Sequence, residues 1–115
     1  MLPEKDVVRL QHMLEWAQEA LGYARGRTRP DLDADRMLAI VLVHCLETVG
    51  EAAAQVSEPT RSALPDIPRR TLTGMRNRLI HVYHDINLDM VWKAVTRSLP
   101  PLARSLERAL RLETP

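Results

Sequence analysis

Met75-Arg76-Asn77-Arg78-Leu79-Ile80-His81-Val82-Tyr83-His84-Asp85-Ile86 separates its apolar from its polar residues at the period of an α-helix. At about 100° per residue, Met75, Leu79, Val82 and Ile86 share one stripe, the spacing of a helix surface that faces a core. Asn77, His81 and His84 fall on the opposite side, within about 60° of one another, and Arg76 and Tyr83 share a stripe about 100° from Asn77. A solvated helix face that happens to carry these residues is one account of the pattern. The other is a site, because Arg, Asn, His and Tyr turned together away from a core can act on phosphate.

Helical spacing continues on both sides of this stretch. Val7, Leu10, Leu14, Ala17 and Leu21 predict a first helix from Glu4 to Arg25, followed by a short linker from Gly26 to Pro30. Asp31 or Asp33 is then expected to cap a second helix whose buried side uses Leu38, Val41, Leu42, Cys45, Val49, Ala52 and Val56. Pro59, Pro65 and Pro68 forbid a continuous helix, so Glu58 to Pro68 is expected to be a loop packed on the bundle. The motif helix follows, from Arg69 to His84. Asp85 and Asn87 offer caps for a fourth helix carrying Met90, Val91, Val95 and Leu99, and Pro100-Pro101 is expected to break or kink it before a last helix, Leu102 to Leu112. No stretch alternates in the manner of a strand. Amphipathic helices with short connections predict an all-α, antiparallel bundle of about four or five helices in a single domain, residues 1–115. Gly50, in mid-helix, costs about 1 kcal/mol relative to alanine, which suggests a close helix approach beside Glu51.

Composition narrows the function. Hydrophobic residues make up 45% and charged residues 27%, ordinary for a globular chain, and no apolar run approaches the roughly 20 residues of a membrane span. The N-terminus carries Glu4, Lys5 and Asp6 and no secretion signal, so a cytoplasmic location without membrane attachment is expected. Cys45 sits among Val41, Leu42, Leu46 and Val49 and reads as a small buried hydrophobe. A net charge of +1 gives no strong field for nucleic acid, so RNA contact needs a local patch; Arg69, Arg70, Arg76 and Arg78 supply one with no acidic residue among them. With two Trp, two Tyr and no Phe, the chain lacks the aromatic platform of single-strand binding modules.

The chemistry follows by elimination. His81, His84 and the adjoining Asp85 resemble part of a metal site, but His12 and His44 lie on other helices and the nearby arginines repel cations, so no metal is expected. Phosphate loops, dinucleotide turns, nucleophile elbows and His-Glu-x-x-His are all missing from the sequence. The catalytic option that remains is metal-free; RNA, for one, can be cut through its own 2′-OH if a base near neutral pKa takes that proton and a cation steadies the charge developing at phosphorus. His81 suits the first role and Arg76 the second. The reaction also needs an acid for the leaving oxygen, which a second copy of the helix in a symmetric dimer would supply, with Ile80 as an apolar contact.

Arg76-Asn77, His81 and Tyr83 together form Arg-x4-His-x-Tyr, which resembles the signature of HEPN domains of the HepT-like group. Gly50-Glu51-Ala52-Ala53, Gly74-Met75-Arg76-Asn77-Arg78-Leu79-Ile80-His81, Val91-Trp92 and Leu99-Pro100 are similar to segments of that group in the same order, so the resemblance runs from Asp6 to about Leu110. One departure is Arg69, where many relatives carry tryptophan after Ile67-Pro68. The resemblance implies a HEPN bundle and a ribonuclease toxin that needs no cofactor, with two motif copies lining a cleft between protomers. It implies that Arg76, Asn77 and His81 are catalytic, that Asn77 orients the phosphate or the imidazole, and that the product end is a 2′,3′-cyclic phosphate. It also implies an MntA-like nucleotidyltransferase antitoxin that transfers AMP to Tyr83. Arg69, Arg70 and Arg78 are then candidate RNA contacts, and Glu51 and His84 candidate supports of the cleft. The competing expectation is a non-catalytic HEPN bundle that serves as a binding partner of the transferase.

Overall fold

The structure is a computed structural model that describes residues 1–67, 72 and 87–113, and every described element is helical. Helix α1, Glu4–Ala24, starts after Pro3 with Glu4 and Asp6 in its first turn, where carboxylates complement the helix dipole. Its buried stripe is Leu10, Met13, Ala17, Ala20 and Ala24, at steps of three and four. The larger Val7, Leu14 and Leu21 of the expected stripe are only half-buried. The helix is thus rotated toward its alanines, whose small side chains let the neighbouring backbone come close. Gly26, with φ 75°, then turns the chain in the left-handed region that glycine tolerates.

The expected linker contains a short helix, α2, Arg29–Ala34, because Thr28 and Asp31 form a capping pair in which the Thr28 N–H donates to the Asp31 carboxylate at 2.6 Å. Its Leu32 is buried. Neither Asp31 nor Asp33 caps the long second helix; Asp35 does, accepting from the Leu38 N–H at 3.1 Å. That helix, α3, Arg36–Ala54, spans 19 residues and buries Leu38, Leu42, Cys45, Leu46, Val49, Ala52 and Ala53. It is long and apolar enough to cross a membrane by length and composition, with a mean hydropathy of 1.6, yet 56% of that window is buried inside the bundle. The hydropathy is therefore that of a core helix, packed chiefly on α1.

The segment expected as a loop holds another short helix, α4, Glu58–Ala63. Pro59 does not prevent it, because a proline in the first turn lacks only an N–H that would have no helical acceptor. A buried joint fixes it: the Asp6 carboxylate accepts from the Ser57 N–H at 3.0 Å and from the hydroxyls of Ser57 and Thr60. Asp6 at the start of α1 thus meets Ser57 just beyond the end of α3, which makes these two helices antiparallel.

After residue 86 the chain forms α5, Leu88–Lys93, capped by Asn87, whose side chain accepts from the Met90 N–H at 3.1 Å. A π turn, Ala94–Ser98, leads straight into α6, Leu99–Arg111. Pro100 and Pro101 therefore lie in the first turn of α6 and do not break the helix at Leu102. The π turn just upstream accommodates the lost donors and the ring bulk, a usual place for such an irregularity. Val91, Val95, Leu99, Leu102 and Leu106 join the residues of α1 and α3 in one buried apolar cluster, together with Leu72.

Candidate functional site

Arg69, Arg70, Arg76, Asn77, Arg78, His81, Tyr83 and His84, together with Ile80 and Asp85, lie outside the described residues, as does the expected motif helix from Arg69 to His84 apart from Leu72. Glu51 is described. It projects from the last turns of α3 and is exposed, between buried Gly50 and buried Ala52 and Ala53. The Gly50-Glu51-Ala52-Ala53 segment thus turns its small residues into the bundle and its carboxylate outward.

The frame around the motif stretch is well defined by its neighbours. On the entry side the Ile67 N–H bonds to the Leu64 carbonyl at 3.1 Å. The turn from Ala63 to Ile67 faces the end of α6 across a groove of about 150 Å³, whose far wall includes Ser105, Arg108, Ala109 and Leu112. Leu72, inside the stretch, is 3% exposed and belongs to the core cluster, so the bundle holds the chain there by apolar burial. On the exit side Asn87 is fixed by its cap, and Asp89 two residues on is bound by Arg29 of α2 at 2.7 Å.

Asp6 and Cys45 are among the titratable groups that depart from their ordinary values. Burial acts to raise the Asp6 carboxyl, but the hydroxyls of Ser57 and Thr60 and the Ser57 N–H outweigh it, and the net direction is down. Burial pushes the Cys45 thiol up to about 11, with Glu19 adding in the same direction, so this cysteine is an inert core residue and no nucleophile. His44 is exposed and packs edge-on against Trp16, with ring centroids 5.2 Å apart. Among the described residues no three His, Cys, Asp or Glu side chains gather as metal ligands.

The sequence reading confined its basic candidates to residues 69–78. The structure adds Lys93, Arg97, Arg104, Arg108 and Arg111, all exposed, along the continuous rod of α5, π turn and α6. Their steps of four, seven, four and three place them on one side of a helix, a spacing visible in the sequence once the helix is known to run through Pro100-Pro101.

Comparison with known proteins identifies the family. The family described as "Ribonuclease HepT-like" matches residues 13–109. The chain therefore belongs to the HepT-like ribonuclease family, a HEPN group. It is 25% identical to "Putative RNase MJ1216" of Methanocaldococcus jannaschii over 96% of this chain and 92% of that protein. It is 27% identical to "Putative RNase TTE0752" of Caldanaerobacter subterraneus subsp. tengcongensis over 90% of this chain and 93% of that protein. "Probable ribonuclease HepT" of Thermococcus cleftensis is 30% identical over 68% of this chain and 71% of its own length. No solved structure matches.

Proposed function

We propose that residues 1–115 form one HEPN domain that acts as a metal-independent endoribonuclease toxin, with Arg76 and His81 at a cleft between two copies of the chain. The observation that carries this reading is Arg76-Asn77, His81 and Tyr83 standing in motif order within the part of the chain that matches the family. His81 of one protomer takes the 2′-OH proton, the 2′-oxygen attacks phosphorus, and the His81 of the partner copy protonates the departing 5′-oxygen. The products are a 2′,3′-cyclic phosphate and a 5′-hydroxyl. Arg76 steadies the charge that develops on the phosphoryl oxygens, and Asn77 orients the phosphate or the imidazole. Arg69, Arg70 and Arg78 hold flanking phosphates, and Glu51 and His84 support the cleft.

Neutralisation follows from the neighbouring stripe. An MntA-like nucleotidyltransferase transfers AMP from ATP to the Tyr83 oxygen with release of pyrophosphate. The added phosphodiester puts negative charge on the stripe that Tyr83 shares with Arg76, where the RNA phosphate would otherwise bind.

The deciding experiment is cleavage of total RNA by the purified protein in EDTA, beside His81→Ala, with end-group analysis. EDTA-resistant cutting to cyclic phosphate ends, lost in the variant, is the expected outcome. An inactive wild-type protein whose Tyr83 is unmodified by mass would replace this reading with that of a non-catalytic binding partner. Co-expression with the transferase is expected to raise the mass of wild type by AMP units and to leave Tyr83→Phe unchanged; an equal shift in both would sink the modification site.

A further inference from the structure

We infer that Lys93, Arg97, Arg104, Arg108 and Arg111 form a phosphate-tracking ridge, a surface on which the RNA substrate lies beyond the cleft. This assignment rests on the ribonuclease reading for the identity of the polyanion, and on the structure for the ridge itself. All five side chains are exposed, and none is paired with a carboxylate in any ion pair among the described residues.

The acids of the same segment are directed elsewhere. Asp89 is held by Arg29 at 2.7 Å, Glu107 accepts from Gln18 of α1 at 3.2 Å, and Glu113 accepts from the Leu2 N–H at 3.1 Å. Three carboxylates that would otherwise cancel part of the ridge are thereby turned toward other elements. Glu107 keeps its charge beside the ridge, and the five cations still leave a local excess of positive charge that the net charge of +1 conceals, the condition under which a nearly neutral chain attracts a polyanion.

Geometry fits a strand of phosphates. A helical rod from Lys93 to Arg111 is about 25 Å long, and even with the π turn the five cations stay within about a quarter turn of one another. Its two ends lie near described residues that flank the motif stretch. Arg108 lines the groove that also contains Ile67, just before that stretch, and Lys93 lies shortly after Asn87, just beyond it.

The apolar face of α6 argues against a membrane as the polyanion. Leu99, Leu102, Ala103, Leu106 and Ala109 are buried in the bundle, so the helix has no free apolar side to insert between lipids. Arginines predominate over lysine in the ridge, four to one, which suits forked hydrogen bonding to phosphate oxygens.

The test uses a fluorescent 2′-O-methyl RNA of mixed sequence, which cannot be cleaved, and measures its anisotropy with the full chain over a range of salt. Against wild type stand the triple variant Arg104→Ala, Arg108→Ala, Arg111→Ala and the matching triple Arg→Lys variant, each checked for unchanged thermal unfolding. With each lost phosphate contact removing about 0.7 from the salt slope on a single strand, the alanine variant is expected to lose about two slope units and on the order of a hundred-fold in affinity near 0.1 M salt, the difference closing near 1 M. The lysine variant is expected to retain most of both. An alanine variant with the affinity and slope of wild type overturns the ridge, as does a wild type that ignores this RNA but binds anionic vesicles or acidic protein. RNA cleavage is scored separately on unmodified RNA. Cutting by wild type with unaltered binding by the alanine variant removes the ridge and leaves the ribonuclease standing; weakened binding by that variant without any cutting keeps the ridge and removes the catalytic reading.

Discussion

Two of the polar joints that tie distant parts of the chain together differ in access to water. At one, the Asp6 carboxylate is 3% exposed and gathers the Ser57 N–H and two hydroxyls, locking the start of α1 to the start of α4. At the other, Arg29 reaches Asp33 at 3.0 Å and Asp89 at 2.7 Å, linking α2 to α5 while the two carboxylates stay largely exposed. Both joints use full charges at good distances. A buried charge that is hydrogen-bonded on every side becomes indispensable, since removing it strands its donors away from water, whereas an exposed pair exchanges one hydrated state for another. Distance alone does not rank such contacts.

The largest effect is expected at the buried joint. Asp6→Ala leaves the Thr60 hydroxyl, 1% exposed, and the Ser57 donors without their acceptor, at a cost of about 3 kcal/mol. Urea unfolding measures it, and a loss below about 1 kcal/mol would show that water replaces the carboxylate. Because the folded Asp6 pKa lies below its ordinary value of 3.8, the stability it contributes is fully present above that value and is lost as pH falls through the lower folded pKa. Asp6→Asn has no such titration, so its urea midpoint is expected to change less than that of wild type between pH 5 and pH 2.5.

Cys45 lets the comparison be read inside the folded state. Its burial and raised pKa predict negligible reaction with a thiol reagent at neutral pH, and labelling only through opening of α3. Asp6→Ala is expected to speed labelling about in proportion to its loss of stability, and Arg29→Ala to leave it nearly unchanged. Rapid labelling of native wild type would contradict the burial of Cys45.

Where the sequence was readable, a periodic pattern was long. The first helix was placed to within a residue, the cap at Asn87 and the burial of Cys45 followed from neighbours, and the all-α architecture followed from repeated helical spacing. Helices α2 and α4 escaped because six residues carry too few turns to show a period, and because prolines in a first turn look like breaks. The rotation of α1 escaped because packing against α3 rewards small residues at the contact, while a hydropathy pattern favours large ones. The Asp6 joint joins residues 51 and 54 positions apart, which no local pattern encodes. The basic ridge was spaced plainly enough, but reading Pro100-Pro101 as a break cut it in two. For the candidate site residues the relation is reversed: Arg76, Asn77, His81 and Tyr83 are legible as an ordered motif, while residues 68–71 and 73–86 lie outside the described structure.

The smallest effect belongs to the exposed joint and is the more demanding test of the comparison. Arg29→Ala removes contacts to Asp33 and Asp89, yet each carboxylate it leaves behind is already hydrated, so the change in stability is expected to be about 0.5 kcal/mol or less at 0.15 M salt. A double-mutant cycle with Asp89→Ala isolates the inter-element term, and raising the salt to 1 M should shrink it toward zero. A coupling above about 1.5 kcal/mol that survives high salt would mean that the α2–α5 contact behaves like the buried joint. Asp89 follows Asn87 at the exit from the motif stretch, so such a coupling would also make Arg29 a support of the point where the chain leaves that stretch.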